Sequence, residues 1–166
     1  PLGSNRSFVQ SWRVRDLQSA LPDGLRGRSP AIGEKLFVEA TCAQCHKFKG
    51  RGGAVGPDLH GVLGRHKGQY VDVLREMLDP SHKVDAKYAV RIVYTTAGKV
   101  ISGVVTREDN QEIAIVANPE DPKPLTIKRT DIDEIVQSSK SLMPKALLDR
   151  FSKDEILELI AYITQP

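Results

Sequence analysis

Apolar residues recur along the chain with two different periods, and the change of period divides it. Ile32, Leu36, Phe37 and Ala40 share one face of a 3.6-residue repeat that starts behind Ser29-Pro30, a capping residue followed by a proline suited to a first helical turn. A second helical stripe, Tyr70, Val73, Leu74, Met77 and Leu78, is stopped by Asp79-Pro80, because proline cannot continue the backbone ladder. From residue 88 the pattern changes. Residues 88–95, 100–106 and 111–117 are rich in Val, Ile, Tyr and Thr and are separated by the turn formers Ala97-Gly98 and Asp109-Asn110. Residues 125–128 follow a proline-broken loop, and 131–136 close what reads as a small antiparallel sheet. The helical period returns at the end, where Ser152 and Glu155 form a capping box ahead of Ile156, Leu159, Ile160 and Ile163.

The pattern predicts a mainly α fold with a small antiparallel β insert at 84–137, the helical body being 29–83 and 138–166. Residues 5–28 hold the only tryptophan, Trp12, and read as an N-terminal leader that packs on this body. Pro1-Leu2-Gly3-Ser4 reads as the remnant of a cleaved fusion tag and is left out of the fold reasoning. Residues 48–68 contain seven glycines and few apolar positions, as expected of an irregular loop.

A chain of 166 residues buries roughly 70% of its unfolded surface and needs no disulfide staple. No apolar run reaches the roughly 18–20 residues of a membrane span. The net charge of +3 is too small for a nucleic-acid binder, which carries a clustered basic stripe. The excess lies in residues 33–70, with six basic against three acidic side chains, while 84–137 has seven against nine.

The two cysteines carry the chemistry. Cys42-Ala43-Gln44-Cys45-His46 is C-x-x-C-H, the attachment sequence of c-type haem. Two thiols one helical turn apart can each form a thioether to a vinyl group on one porphyrin edge, and the adjacent histidine then lies under the iron. Other readings compete. A zinc site would have to recruit two of His46, His60, His66 and His82, none in a tight pair. A thioredoxin-like pair belongs at a strand-to-helix junction, whereas this motif follows a helix and precedes a glycine-rich loop. An electron-carrying iron needs a sixth ligand, and the chain has two methionines. Met77 sits on a helical apolar stripe, as a core methionine does; Met143, in Ser141-Leu142-Met143-Pro144, lies on a non-helical stretch from which a thioether can reach the iron. His60 and His82 read as solvated loop residues.

The helix Gly33-Glu34-Lys35-Leu36-Phe37 leading into C-x-x-C-H, then Gly56-Pro57-Asp58-Leu59, then Met143-Pro144 and a final helix ending in Tyr162 resemble the class I cytochromes c. More narrowly, Asp79-Pro80-Ser81, Gly98-Lys99 and Met143-Pro144 in this order resemble the C-terminal haem-binding domain of predicted membrane-bound dehydrogenases of the planctomycete type. The resemblance implies a class I cytochrome c fold and one haem c attached through Cys42 and Cys45, with His46 and Met143 as iron ligands. It further implies that Pro57 packs on the proximal histidine, a neighbouring backbone carbonyl holding the ring's Nδ1 hydrogen, and that Gly33 and Phe37 meet the last helix near Tyr162. Met143 lies 97 positions after His46, far more than in a compact cytochrome c, and the β insert, of SH3-like character, accounts for the difference.

The function expected is electron transfer, with no catalytic residue and no substrate chemistry, in a periplasmic or otherwise extracytoplasmic compartment. The partner expected is a redox protein or a fused dehydrogenase domain. Lys47, Lys49 and Arg51 beside the motif would steer its acidic docking face toward the haem edge. The alternative is a haem-based sensor or peroxidase-like site with an open sixth position, for which the sequence marks no distal acid–base pair. A third reading makes the β insert the working surface, so that its removal would leave the haem environment partly intact.

Overall fold

The structure, a computed structural model, describes residues 6–119 and 121–166; the expected tag remnant lies outside them. Among the described residues five α-helices precede a five-stranded antiparallel sheet and a sixth follows it. The first stripe becomes α2, Pro30–Glu39, after a short α1, Val14–Leu17. Ser29 caps α2 through its hydroxyl, which accepts from the Ile32 N–H at 3.4 Å, and Pro30 occupies the first turn. The motif cysteines bound a single turn, α3, Cys42–Cys45. A two-strand ribbon, β1 Lys47–Phe48 with β2 Arg51–Gly52, opens the glycine-rich loop, in which α4, Val62–Arg65, is a further turn. The second stripe becomes α5, Tyr70–Leu78, and the last α6, Lys153–Ile163. The capping box of α6 closes as expected: the Ser152 hydroxyl accepts from the Glu155 N–H, and the Glu155 carboxylate accepts from the Ser152 N–H at 2.8 Å.

The helices share one core. Leu17, Leu74, Ile156 and Ile160 are fully excluded from solvent in it, with Phe37 and Leu159 beside them. α2 crosses α6 at Gly33, where an added Cβ would lie 2.3 Å from the Tyr162 Cβ and 2.7 Å from the Glu158 carbonyl oxygen. Phe37, Phe48 and Tyr162 pack edge-on and tilted around this crossing, with centroids 4.9–6.3 Å apart. The segment before α2 is stitched to the same core: the Trp12 indole donates to the Phe151 carbonyl at 3.0 Å, and Leu17 is wholly buried.

The sheet runs β6-β5-β4-β3-β7, from β3, Ala89–Thr95, β4, Val100–Glu108, β5, Glu112–Val116, and β6, Leu125–Lys128, to β7, Ile132–Ser141. Consecutive strands pair as neighbours except β7, which crosses to the far side of β3. Val93, Ile113, Ile115 and Ile127 give the sheet its own apolar core. Two expectations are corrected. The fold is not mainly α, because the sheet forms a second body with a core of its own. The last strand also runs past the expected end at 136 to Ser141, so the sheet feeds directly into Leu142-Met143. A third apolar cluster joins the two bodies: Val104 and Val116 from the sheet pack with Val55, Cys45 and Leu142. Among the described residues no helix is long and apolar enough to cross a membrane.

Candidate haem site

Between the helical core and the sheet lies a cavity of about 670 Å³, within the range of small-molecule and cofactor sites, roughly 300–1,000 Å³. Cys42, Cys45 and His46 face it from one side, Phe37, Val73 and Leu159 from the helices, and Leu142-Met143-Pro144 from the loop after β7.

α3 presents the cysteines because Thr41 takes a left-handed conformation (φ 61°) that ends α2 and restarts the helix in a new direction. Both thiols are free and border the cavity. Burial pushes the Cys42 thiol up to about 12, outweighing a backbone hydrogen bond that lowers it, and raises that of Cys45. A thioredoxin-like pair requires the opposite, a thiol lowered by a nearby cation or a helix N-terminus. Among the described residues no group of three or more His, Cys, Asp or Glu side chains comes together, as the zinc reading would need.

His46 leaves α3 in extended backbone, and its Nδ1 lies 2.9 Å from the Pro57 carbonyl. A carbonyl oxygen only accepts, so the ring carries its hydrogen on Nδ1 and keeps the Nε2 lone pair for a ligand. Burial lowers the His46 pKa against the opposing pull of Pro57, which favours the neutral ring that coordination requires. Gly56 makes room for it: a Cβ there would lie 2.6 Å from the ring Cε1 and 2.9 Å from Nδ1. The loop holding Pro57 is pinned by Gly56 N–H to the Cys45 carbonyl and Leu59 N–H to the Lys47 carbonyl, each 2.8 Å. The Arg65 guanidinium adds a clamp, donating to the carbonyls of Asp58 and His60.

Both methionines border the cavity. Met77 does so from within α5, packed against the helical core, whereas Met143 sits on a loop with neither helix nor strand. His60 and His82 are not among the lining residues, but His66 is, with its Nε2 3.3 Å from Glu76, which also lines it. The members of that His66–Glu76 pair are ten positions apart, so no local spacing announced it. Lys47, Lys49 and Arg51 do not line the cavity either: Lys49 lies over the Phe48 and Tyr162 rings, and Arg51 faces Glu34 at 3.5 Å. The cations at the cavity are Arg65 and Lys83. Tyr88, Val104 and Pro119 complete a wall that comes from the sheet region, so the insert contributes to the enclosure.

The donor set suits a covalently attached haem: two free thiols one turn apart, an imidazole with its outward nitrogen fixed, and an apolar enclosure of adequate size. Residues 30–118 match the sequence model of the family described as cytochrome c. Relatives include cytochrome c from Ginkgo biloba, 50% identical over 40 residues (24% of this chain, 34% of that protein). Those from Stellaria longipes and Cochliobolus lunatus are each 51% identical over 37 residues, covering 22% of this chain and 33% of theirs. The matched stretch thus spans about a third of the length of these relatives. Domains of the family are electron carriers that hold haem c covalently through two cysteines, present here as Cys42 and Cys45. With more than half of its length matched, and with the cysteine pair and a half-buried imidazole at the edge of one apolar cavity, the chain belongs to the cytochrome c family.

Proposed function

We propose that the chain is a one-electron carrier in which Cys42 and Cys45 would hold a single haem c, with His46 Nε2 and the Met143 sulfur as the residues that would bind its iron. When bound, the haem supplies an iron that alternates between the ferric and ferrous states, one electron entering and one leaving per cycle. The observation that supports this most is the His46–Pro57 contact at a cavity whose lining also includes Met143. The protein's own part is to anchor, orient and exclude water. α3 presents the two thiols, Pro57 fixes the tautomer of His46, and the apolar walls lower the local dielectric, which disfavours the charged ferric state and raises the potential.

The reading extends to an extracytoplasmic, periplasm-like setting and to a dehydrogenase, fused or separate, as electron donor. The motifs Asp79-Pro80-Ser81, Gly98-Lys99 and Met143-Pro144 support that donor. We read the sheet as SH3-like on the strength of its five short antiparallel strands around an apolar core. One observation favours a second reading: the His66–Glu76 pair would supply proton-transfer groups to a peroxidase-like site if the sixth position were open.

Absorption spectra of the oxidised holoprotein separate the two. A methionine sulfur on ferric haem gives a weak far-red charge-transfer band. The expected result is a band present in the native protein, retained in Met77→Ala and lost in Met143→Ala. A five-coordinate high-spin spectrum in the native protein would favour the peroxidase-like reading.

A further inference from the structure

Asp79-Pro80-Ser81, which ends α5, has no part in holding His46 or the cysteines, yet the structure brings it against the loop that carries Met143. The Ser81 hydroxyl accepts from the Ser141 N–H at 3.1 Å, across 60 positions of sequence. The Ser141 hydroxyl in turn accepts from the Met143 N–H, also at 3.1 Å. Lys145 Nζ lies 2.8 Å from Asp79 Oδ1. Pro80 between them is buried and lines the cavity together with Met143. β7 ends at Ser141, and the backbone runs without helix or strand until α6, so no ladder holds Met143 in place.

We propose that Asp79-Pro80-Ser81 is a latch for the Met143 loop, a set of positioning residues that keeps the thioether at the cavity. The inference rests on Met143 being an iron ligand. The three contacts differ in weight. The Asp79 and Lys145 side chains are 46% and 67% exposed, so their ion pair is screened and contributes little. The Ser81 hydroxyl is half-buried and satisfies a backbone N–H at the point where the last strand ends, and the Ser141 hydroxyl passes the restraint on to the Met143 backbone. Pro80 narrows the freedom of the segment that carries Ser81.

Imidazole titration of the ferric holoprotein reads the latch, because imidazole takes the sixth position only when Met143 has left it. Ser81→Ala is expected to tighten apparent imidazole binding roughly threefold to tenfold, the equivalent of one net hydrogen bond. Ser81→Thr, which keeps the hydroxyl, should return it close to the native value, and Lys145→Gln should change it less than about twofold. Amide exchange gives a readout independent of the iron: the Ser141 and Met143 N–H groups should exchange faster in Ser81→Ala and not in Ser81→Thr. Native imidazole affinity together with native exchange at both amides in Ser81→Ala would overturn the latch. A native protein that binds imidazole no differently from Met143→Ala would instead overturn the ligand reading, and faster exchange in Ser81→Ala would still support the latch.

Discussion

At single residues, the molecule depends on close approaches that only the smallest side chain allows. Gly33 is buried where α2 crosses α6, and a methyl group there would meet the Tyr162 Cβ at 2.3 Å and a backbone oxygen at 2.7 Å. Backbone cannot swing aside as a flexible side chain can, so the helices must part and the Phe37–Phe48–Tyr162 cluster must repack. Gly33→Ala is therefore expected to cost on the order of 2–3 kcal/mol in denaturant unfolding, despite alanine's better helix propensity. A stabilised or neutral variant would contradict the packing described. The anchoring residues were legible in the sequence for a related reason. Thioether attachment demands a fixed local spacing, so Cys42, Cys45 and His46 announce themselves, whereas His66 and Glu76 meet only through the packing of α5 on the loop before it.

At the level of elements, two kinds of restraint hold the helical body together. The apolar stripes of α2, α5 and α6 pack into one core, except that Ile32 of the first stripe is 49% exposed and Tyr70, Met77 and Leu78 are only partly buried, and polar ties fasten the N-terminal segment over them. Arg6 reaches Glu39 on α2 at 2.7 Å and Glu155 on α6 at 2.8 Å. Its hydrogen bond holds the Glu39 carboxyl below the ordinary carboxylate range. A carboxyl with a depressed folded pKa stabilises the fold above its unfolded value of about 4.3, and that contribution fades as pH falls through the folded value. Glu39→Gln should thus lose about 1 kcal/mol or less at neutral pH, and the gap to the native protein should close below about pH 4 in acid unfolding curves. A gap that stays constant down to pH 2 would show that the ion pair is not its source.

The sheet tests a different link. Strand positions were legible from β-branched runs and turn formers, but alternation along a strand says which residues share a face, not what that face meets. Val104 proves to line the cavity and to pack with Val55 and Val116, while Val100 on the same strand is 60% exposed. Val104→Thr keeps the shape and adds a hydroxyl at the cavity wall, which favours the charged ferric state. The midpoint potential is expected to fall by tens of millivolts, with no change in Val100→Thr. Equal potentials in all three proteins would remove the sheet from the haem environment.

For the whole molecule, the cavity is assembled from segments that lie far apart in the chain. His46 and the cysteines come from the first third, and Met143 arrives 97 positions later, delivered by β7 and met by the end of α5. The helical body and the order of its motifs could be read from periodicity and spacing. The enclosure could not, because Tyr88, Val104 and Pro119 reach it only once the sheet has folded against α3 and the Met143 loop. The same holds for charge. Lys49 lies over aromatic rings at the α2–α6 crossing and Arg51 faces Glu34, placements that their positions beside the motif do not reveal.

A closed, six-coordinate iron separates an electron carrier from a sensor or a peroxidase, and rapid mixing of the reduced holoprotein with carbon monoxide tests that closure most directly. The expected result is no fast binding phase in the native protein and rapid binding in Met143→Ala. Rapid, full-amplitude binding in the native protein would contradict it.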